Sequence, residues 1–176
     1  MLRTMGFYGV IAGVIVGTPL FIMTVTNQQS HLPYGMVIGY TIMLVALSTV
    51  FIAVKRQREA QSGVIRFWPA FGLGLGISLI AGIFYVAAWE AAQAVTHMDF
   101  VSEYGTAMMA QAKAKGAGAA ELAKVTKEID DLRVLYANPA YRLGMTFAEI
   151  FPVGALVSLV TAVLLRNPRF LPAKAA

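Results

Sequence analysis

The chain contains no cysteine, two histidines and two tryptophans, and only 13% of its 176 residues are charged. Without cysteine there is no disulfide, no thiol nucleophile and no cysteine-ligated metal, although the lack leaves the compartment open. A soluble domain carries about a quarter charged residues and about half apolar ones; this chain is 58% hydrophobic and short of charge. Period-2 alternation, the mark of a membrane barrel, is also missing. Catalytic signatures are absent too, with no Ser-His-Asp set, phosphate-cradling glycine loop or zinc spacing. Gly72-x-Gly74-x-Gly76 lies inside an apolar run with no strand before it, so it is not a nucleotide fingerprint. His31 and His97 stand near Met98, Met108 and Met109 without ligand spacing, and such methionines read as apolar packing. Neither a metal, a cofactor nor an enzymatic activity is expected.

What the chain does have is long apolar runs. Four are long enough for the roughly 20 residues that cross a bilayer as a helix: Gly6 to Thr26, Tyr34 to Val54, Phe67 to Val95 and Leu143 to Leu165. Backbone amides in lipid must be paired within their own segment, which makes these spans helical. The third is longer than a bilayer requires and must tilt or project. The first is longer than a signal-peptide core and no small-residue cleavage site precedes Asn27, so it reads as a retained span.

A net charge of +5 invites a nucleic-acid reading, but the distribution of charge argues against one. Arg3, Lys55, Arg56, Arg58, Arg66, Arg166, Arg169 and Lys174 fall on one side of the spans, opposed only by Glu59. On the other side, Gln28 to Pro33 is uncharged, and Thr96 to Arg142 balances six cations against six anions. Cations in short loops stay cytoplasmic. Both termini are therefore expected inside and the long loop outside, with Trp68 and Trp89 marking the inner and outer interfaces. The link Lys55 to Arg66 also suits anionic lipid heads, besides setting topology.

Within the long loop, Phe100, Tyr104, Ala107 and Met108 recur at helical spacing from Asp99 to Ala114, and Gly116-Ala-Gly118 breaks the run. Leu122, Val125, Ile129, Leu132 and Tyr136 then follow a 3,4,3,4 spacing from Ala119, with charges between them. The pattern predicts an amphipathic helical hairpin over 96–142, packed on itself or on the mouth of the bundle. Asn138-Pro139 supplies a cap and a first-turn proline, so the last helix starts before the membrane.

Several segments carry a family resemblance. GYTIMLVALSTVFIAVKRQRE from Gly39, GVIRFWPAFGLGLGISLIAGIFYVAAWE from Gly63, YANPAYR from Tyr136 and MTFAEIFPVGALVSLVTAVLLRN from Met145 are similar to membrane proteins grouped as domain of unknown function family 4199. The resemblance spans almost the whole chain, while the first span matches in character alone. It implies a four-helix, multi-pass protein of the bacterial inner membrane with no established activity.

Two carboxylates lie within spans, Glu90 in the third and Glu149 in the fourth, at similar depth in antiparallel helices. An ionised carboxylate deep in lipid costs about 2.5 kcal/mol or more, so such groups are paired, protonated or wetted. A shared site would suit proton-coupled chemistry; wetting at the interface, or cross-helix pairing with Arg142, are the alternatives. His97 and Arg142 each lie seven residues from the glutamate on their own helix, two turns away. Pro19 and Pro152 interrupt helix hydrogen bonding, which serves either packing or a transport site. Small residues recur at four-residue spacing, as in Gly9, Gly13 and Gly17, and allow close helix approach.

The resulting expectation is one transmembrane domain over 1–176, an all-α four-helix bundle with both termini inside and an outer amphipathic hairpin. Its partners would be the lipid bilayer and either another membrane protein or a second copy, not nucleic acid. The expected contact surfaces are Leu122, Val125, Ile129 and Leu132 on the hairpin and Gly9, Gly13 and Gly17 on span one. An accessory or scaffold role is the leading reading; a small proton-coupled transporter or channel using Glu90 and Glu149 is the alternative.

Overall fold

A computed structural model describes residues 1–26 and 35–172. Among these residues the chain is all-helical and has no strand. The helices are α1 (Leu2–Val25), α2 (Gly35–Glu59), α3 (Phe67–Thr96), α4 (Phe100–Ala114), α5 (Ala119–Tyr136) and α6 (Pro139–Leu165). Four of them, α1, α2, α3 and α6, are long and apolar enough to cross a membrane, which makes this a multi-pass membrane protein. The uncharged loop Gln28 to Pro33, with His31, and Lys174 lie outside the described residues.

Helix ends overrun the apolar runs because a helix stops where its backbone is capped, not where hydropathy falls. α2 continues through its basic end, where Lys55 and Glu59 pair at 3.6 Å one turn apart and Arg56 and Arg58 meet the negative end of the helix dipole. α6 begins at Pro139, and the Asn138 side chain accepts from the Ala140 N–H at 2.9 Å. Pro19 and Pro152 both lie inside continuous helices.

The chain forms two compact units, Met1–Ala92 with Thr146–Ala176, and Gln93–Met145. The first is the four-helix bundle. α1 packs on α2, with Thr4 Oγ1 donating to Gln57 Oε1 at 3.3 Å. Against α3, α1 turns its glycines. A Cβ on Gly9 would lie 2.7 Å from Ile80 Cβ, one on Gly13 2.6 Å from Phe84 Cβ, and one on Gly17 3.3 Å from Ala88 Cβ. This corrects the expectation that the stripe faces an outside partner: its missing side chains admit Ile80 and Phe84 of the same molecule. On its other side, α3 meets α6 through a second set of small residues. A Cβ on Gly74 would come within 2.8 Å of Ser158 Cβ, and one on Gly154 within 2.6 Å of Ser78 Cβ.

The second unit is the hairpin, in which α4 packs on α5. Asp99 caps α4: its carboxylate accepts from the Ser102 N–H at 3.1 Å and from Ser102 Oγ at 2.6 Å. Arg133 of α5 donates to the same hydroxyl at 3.1 Å. α4 ends in a Schellman turn, with Ala117 N–H on the Ala112 carbonyl, Gly116 N–H on the Lys113 carbonyl, and Gly116 at φ +79°. The face of α4 is rotated by about one residue from the expected one. Val101 and Gly105 are buried, whereas Tyr104 and Ala107 are exposed. Gly105 sets this register, since Ile129 fills the space where its Cβ would stand.

Two outcomes follow from these contacts. Gly13→Leu forces α1 off Phe84 and lowers bundle stability by about 1–3 kcal/mol, whereas Gly72→Ala, which meets nothing within 4 Å, leaves thermal unfolding in detergent unchanged or slightly raised. At α4, the Ser102 bonds, with a lesser contribution from Arg133, hold the Asp99 carboxyl below its ordinary value. Its folded-state pKa is therefore depressed, so the cap is complete at neutral pH and is lost as pH falls below about 4. Asp99→Ala frays the first turn by about 1 kcal/mol, read as faster amide exchange over 101–103, and the wild type approaches the variant in acid.

Candidate functional site

α3 and α6 carry polar atoms along the seam where they meet. Ser78 Oγ donates to the Gly74 carbonyl at 3.0 Å, Ser158 Oγ donates to the Gly154 carbonyl at 2.7 Å, and the two hydroxyls lie 3.3 Å apart. Each hydroxyl thus satisfies itself within its own helix, as serine does in apolar spans. Two turns along α3, Tyr85 continues the same buried face. Its hydroxyl donates to a Glu149 carboxylate oxygen at 2.9 Å. Pro152 and Gly154 follow Glu149 on α6, and the buried Ile150 and Thr146 flank it. The result is a buried phenol, at the edge of a largely aliphatic core, that reaches an acid exposed on the surface of α6.

The Tyr85 bond reaches Glu149 and not Glu90. Five residues separate Tyr85 from Glu90, a turn of about 500°, so Glu90 leaves α3 about 140° around from the side chain that holds Glu149. Glu90 is half-buried there, beside Trp89. Trp68, at the other end of α3, is 74% exposed.

Arg142 belongs to the hairpin unit, where its guanidinium lies 5.8 Å from the Tyr136 ring centroid. Tyr136 is buried there, its ring 5.1 Å from Phe100, and its hydroxyl accepts from Gln93 Nε2 at 3.1 Å. Leu122, Val125, Ile129 and Leu132 are half-buried, with Ile129 turned onto α4 at Gly105. Ile129 of this stripe thus belongs to the hairpin's own seam. Beside it runs an open groove of about 490 Å³, lined among others by Ser102, Thr106, Met109, Lys113 and Arg133. Among the described residues no three His, Asp or Glu side chains gather as a metal set.

Two residues escaped the sequence reading. Tyr85 drew no notice in an apolar run, yet it follows Ser78 by seven residues on the buried face. Arg58 looked like one more cytoplasmic cation, yet it is fully buried. The signal was there: Val50, Val54 and Arg58 recur every four residues, and both valines are core.

Residues 6–167 match a family described as "Protein of unknown function (DUF4199)". No curated protein and no solved structure matches the chain.

Glu149→Leu leaves the buried Tyr85 hydroxyl without its acceptor and lowers stability by about 1–3 kcal/mol. Tyr85→Phe combined with Glu149→Leu recovers most of that loss, because neither polar partner is then orphaned. A double-mutant cycle on thermal unfolding in detergent checks both, and additive effects would show that the bond carries no energy.

Proposed function

This chain belongs to the DUF4199 family of proteins of unknown function, and we propose that it serves as a non-enzymatic accessory or scaffold subunit whose hairpin contacts another membrane protein. The observation that carries this reading is the incomplete burial of the hairpin. A two-helix unit has little core of its own, and here Val101, Gly105 and Tyr136 are the buried positions of α4 and α5. On the outer faces of α5, Val134 is 76% exposed and Leu135 47% exposed. Apolar side chains presented by a charge-balanced unit suit contact with a protein surface. Eight cations against one acid on the opposite side of the spans support placing both termini in the cytoplasm and the hairpin outside. The bacterial inner membrane is the membrane proposed.

A second reading rests on a different observation, the Tyr85–Glu149 bond at 2.9 Å within the bundle. An intramembrane carboxylate with a named hydrogen-bond partner is a place where a proton can be taken up and released. On this reading the protein is a small proton-coupled transporter or channel, oligomeric in the membrane, with Glu149 at its centre and Glu90 outside the Tyr85 contact.

Extraction from native membranes in mild detergent, with sizing and identification of co-migrating chains, separates the two. The accessory reading expects a stoichiometric partner that is lost in Val134→Asp and Leu135→Asp while the variants stay folded. A self-assembled species with no partner sinks it. Proton flux into vesicles that disappears in Glu149→Gln would then favour the second reading.

A further inference from the structure

Arg58 is the one charged side chain that is fully buried among the described residues, at 0% exposure. No carboxylate of the described residues pairs with it: Lys55–Glu59 and Lys124–Glu128 are ion pairs that leave Arg58 out. Its acceptors are backbone carbonyls. Nη1 donates to the Phe170 carbonyl at 2.9 Å and, more weakly, to the Leu165 carbonyl at 3.4 Å. Nη2 donates to the Leu171 carbonyl. Nε has no acceptor among the described residues.

These acceptors explain how the charge is tolerated. Leu165 is the last residue of α6, so its carbonyl is among those a helix leaves unpaired. A cation there also meets the negative end of the α6 dipole. The backbone of Arg58 does a second job, its carbonyl accepting from the Gln61 and Gly63 N–H groups, both at 3.0 Å, where α2 ends. One residue thus closes two helix ends, with its carbonyl on α2 and its guanidinium on α6.

Past Leu165 the chain folds back over this guanidinium. Phe170 N–H donates to the Asn167 carbonyl at 3.1 Å, and Asn167 Oδ1 accepts from the Arg169 N–H at 3.0 Å. The Phe170 side chain packs against the bundle core. Leu171 sits in the left-handed region at φ +47°, a conformation that non-glycine residues hold only under constraint from their surroundings. Its exposed side chain supplies no such constraint, which comes from its backbone neighbours: Pro172 follows it, and its carbonyl accepts from Arg58.

We propose that Arg166–Pro172 is a strap latched by Arg58, which opens and closes as a unit without unfolding the bundle. Closed, it caps α6 and seats Phe170. Open, it bares the last carbonyls of a membrane helix and a buried cation together, so the two events are coupled through one side chain. Lysine cannot replace the latch, because a single ammonium lacks the planar fork that reaches separate carbonyls.

The test is amide exchange on the full chain in detergent, comparing 166–171 with the α3 core over 70–82. In the wild type the strap exchanges faster than α3 but slower than a free peptide. Arg58→Met and Arg58→Lys each accelerate the strap about ten-fold or more while α3 is unaffected, as expected for opening of a local unit. A strap rate unchanged in Arg58→Met overturns the proposal, and so does a wild-type rate in Arg58→Lys, since charge alone would then suffice. Should neither variant fold, the wild type and Phe170→Ala decide: strap exchange locked to the α3 rate in both overturns the latch, and a faster strap in Phe170→Ala sustains it.

Discussion

Lipid removes the usual reason for helices to associate, because hydrocarbon outside the bundle is as apolar as the side chains within it. Association then depends on backbones coming close enough for dense van der Waals contact, and in this protein α3 is where that condition is met twice. Gly9 and Gly13 of α1 accept Ile80 and Phe84 on one side, while Gly74 and Gly154 accept Ser158 and Ser78 on the other. The spacing of the two faces around α3 fixes where α1 and α6 lie, and thereby which residues of α6 can reach Tyr85. The acid–phenol pair is a consequence of where these glycines stand.

The same constraint governs the polar groups. Several polar groups of the bundle find an answer in the backbone or in one side chain. Ser78 and Ser158 bond their own helices, Glu149 receives the Tyr85 hydroxyl, and Arg58 takes carbonyls at the end of α6. These are different solutions to one problem, that an unsatisfied polar group in a low-dielectric interior is far more costly than the net gain from any single hydrogen bond. The hairpin unit lives by other rules. There the caps are exposed side chains, Asp99 on α4 and Asn138 on α6, and the seam is an ordinary amphipathic contact between Ile129 and Gly105.

Much of this was legible. Apolar run length exposed the four spans, the 3,4,3,4 spacing marked α5, Gly116 marked the end of α4, and Asn138-Pro139 marked the start of α6. Each is a local property, fixed by a few neighbouring residues. The candidate site was legible only by half. Glu149 stood out as a carboxylate in an apolar run, but its partner was sought among ionisable residues, and the structure supplied a tyrosine. Glu90 stood out for the same reason and faces elsewhere, because depth in a bilayer constrains position along a helix and says nothing of rotation about it.

By itself, then, the sequence determined that this is a membrane protein of four helices with a helical hairpin between the last two, since hydropathy, periodicity and capping act within single segments. It also determined that close contacts would be made, through the spacing of its glycines. Only the tertiary structure decided whom those glycines meet, which polar side chains share the α3–α6 seam, and that Arg58 among several cations is the buried one. These depend on how each helix is rotated against its neighbours, and that rotation is set jointly by all the packed faces, not by any one segment.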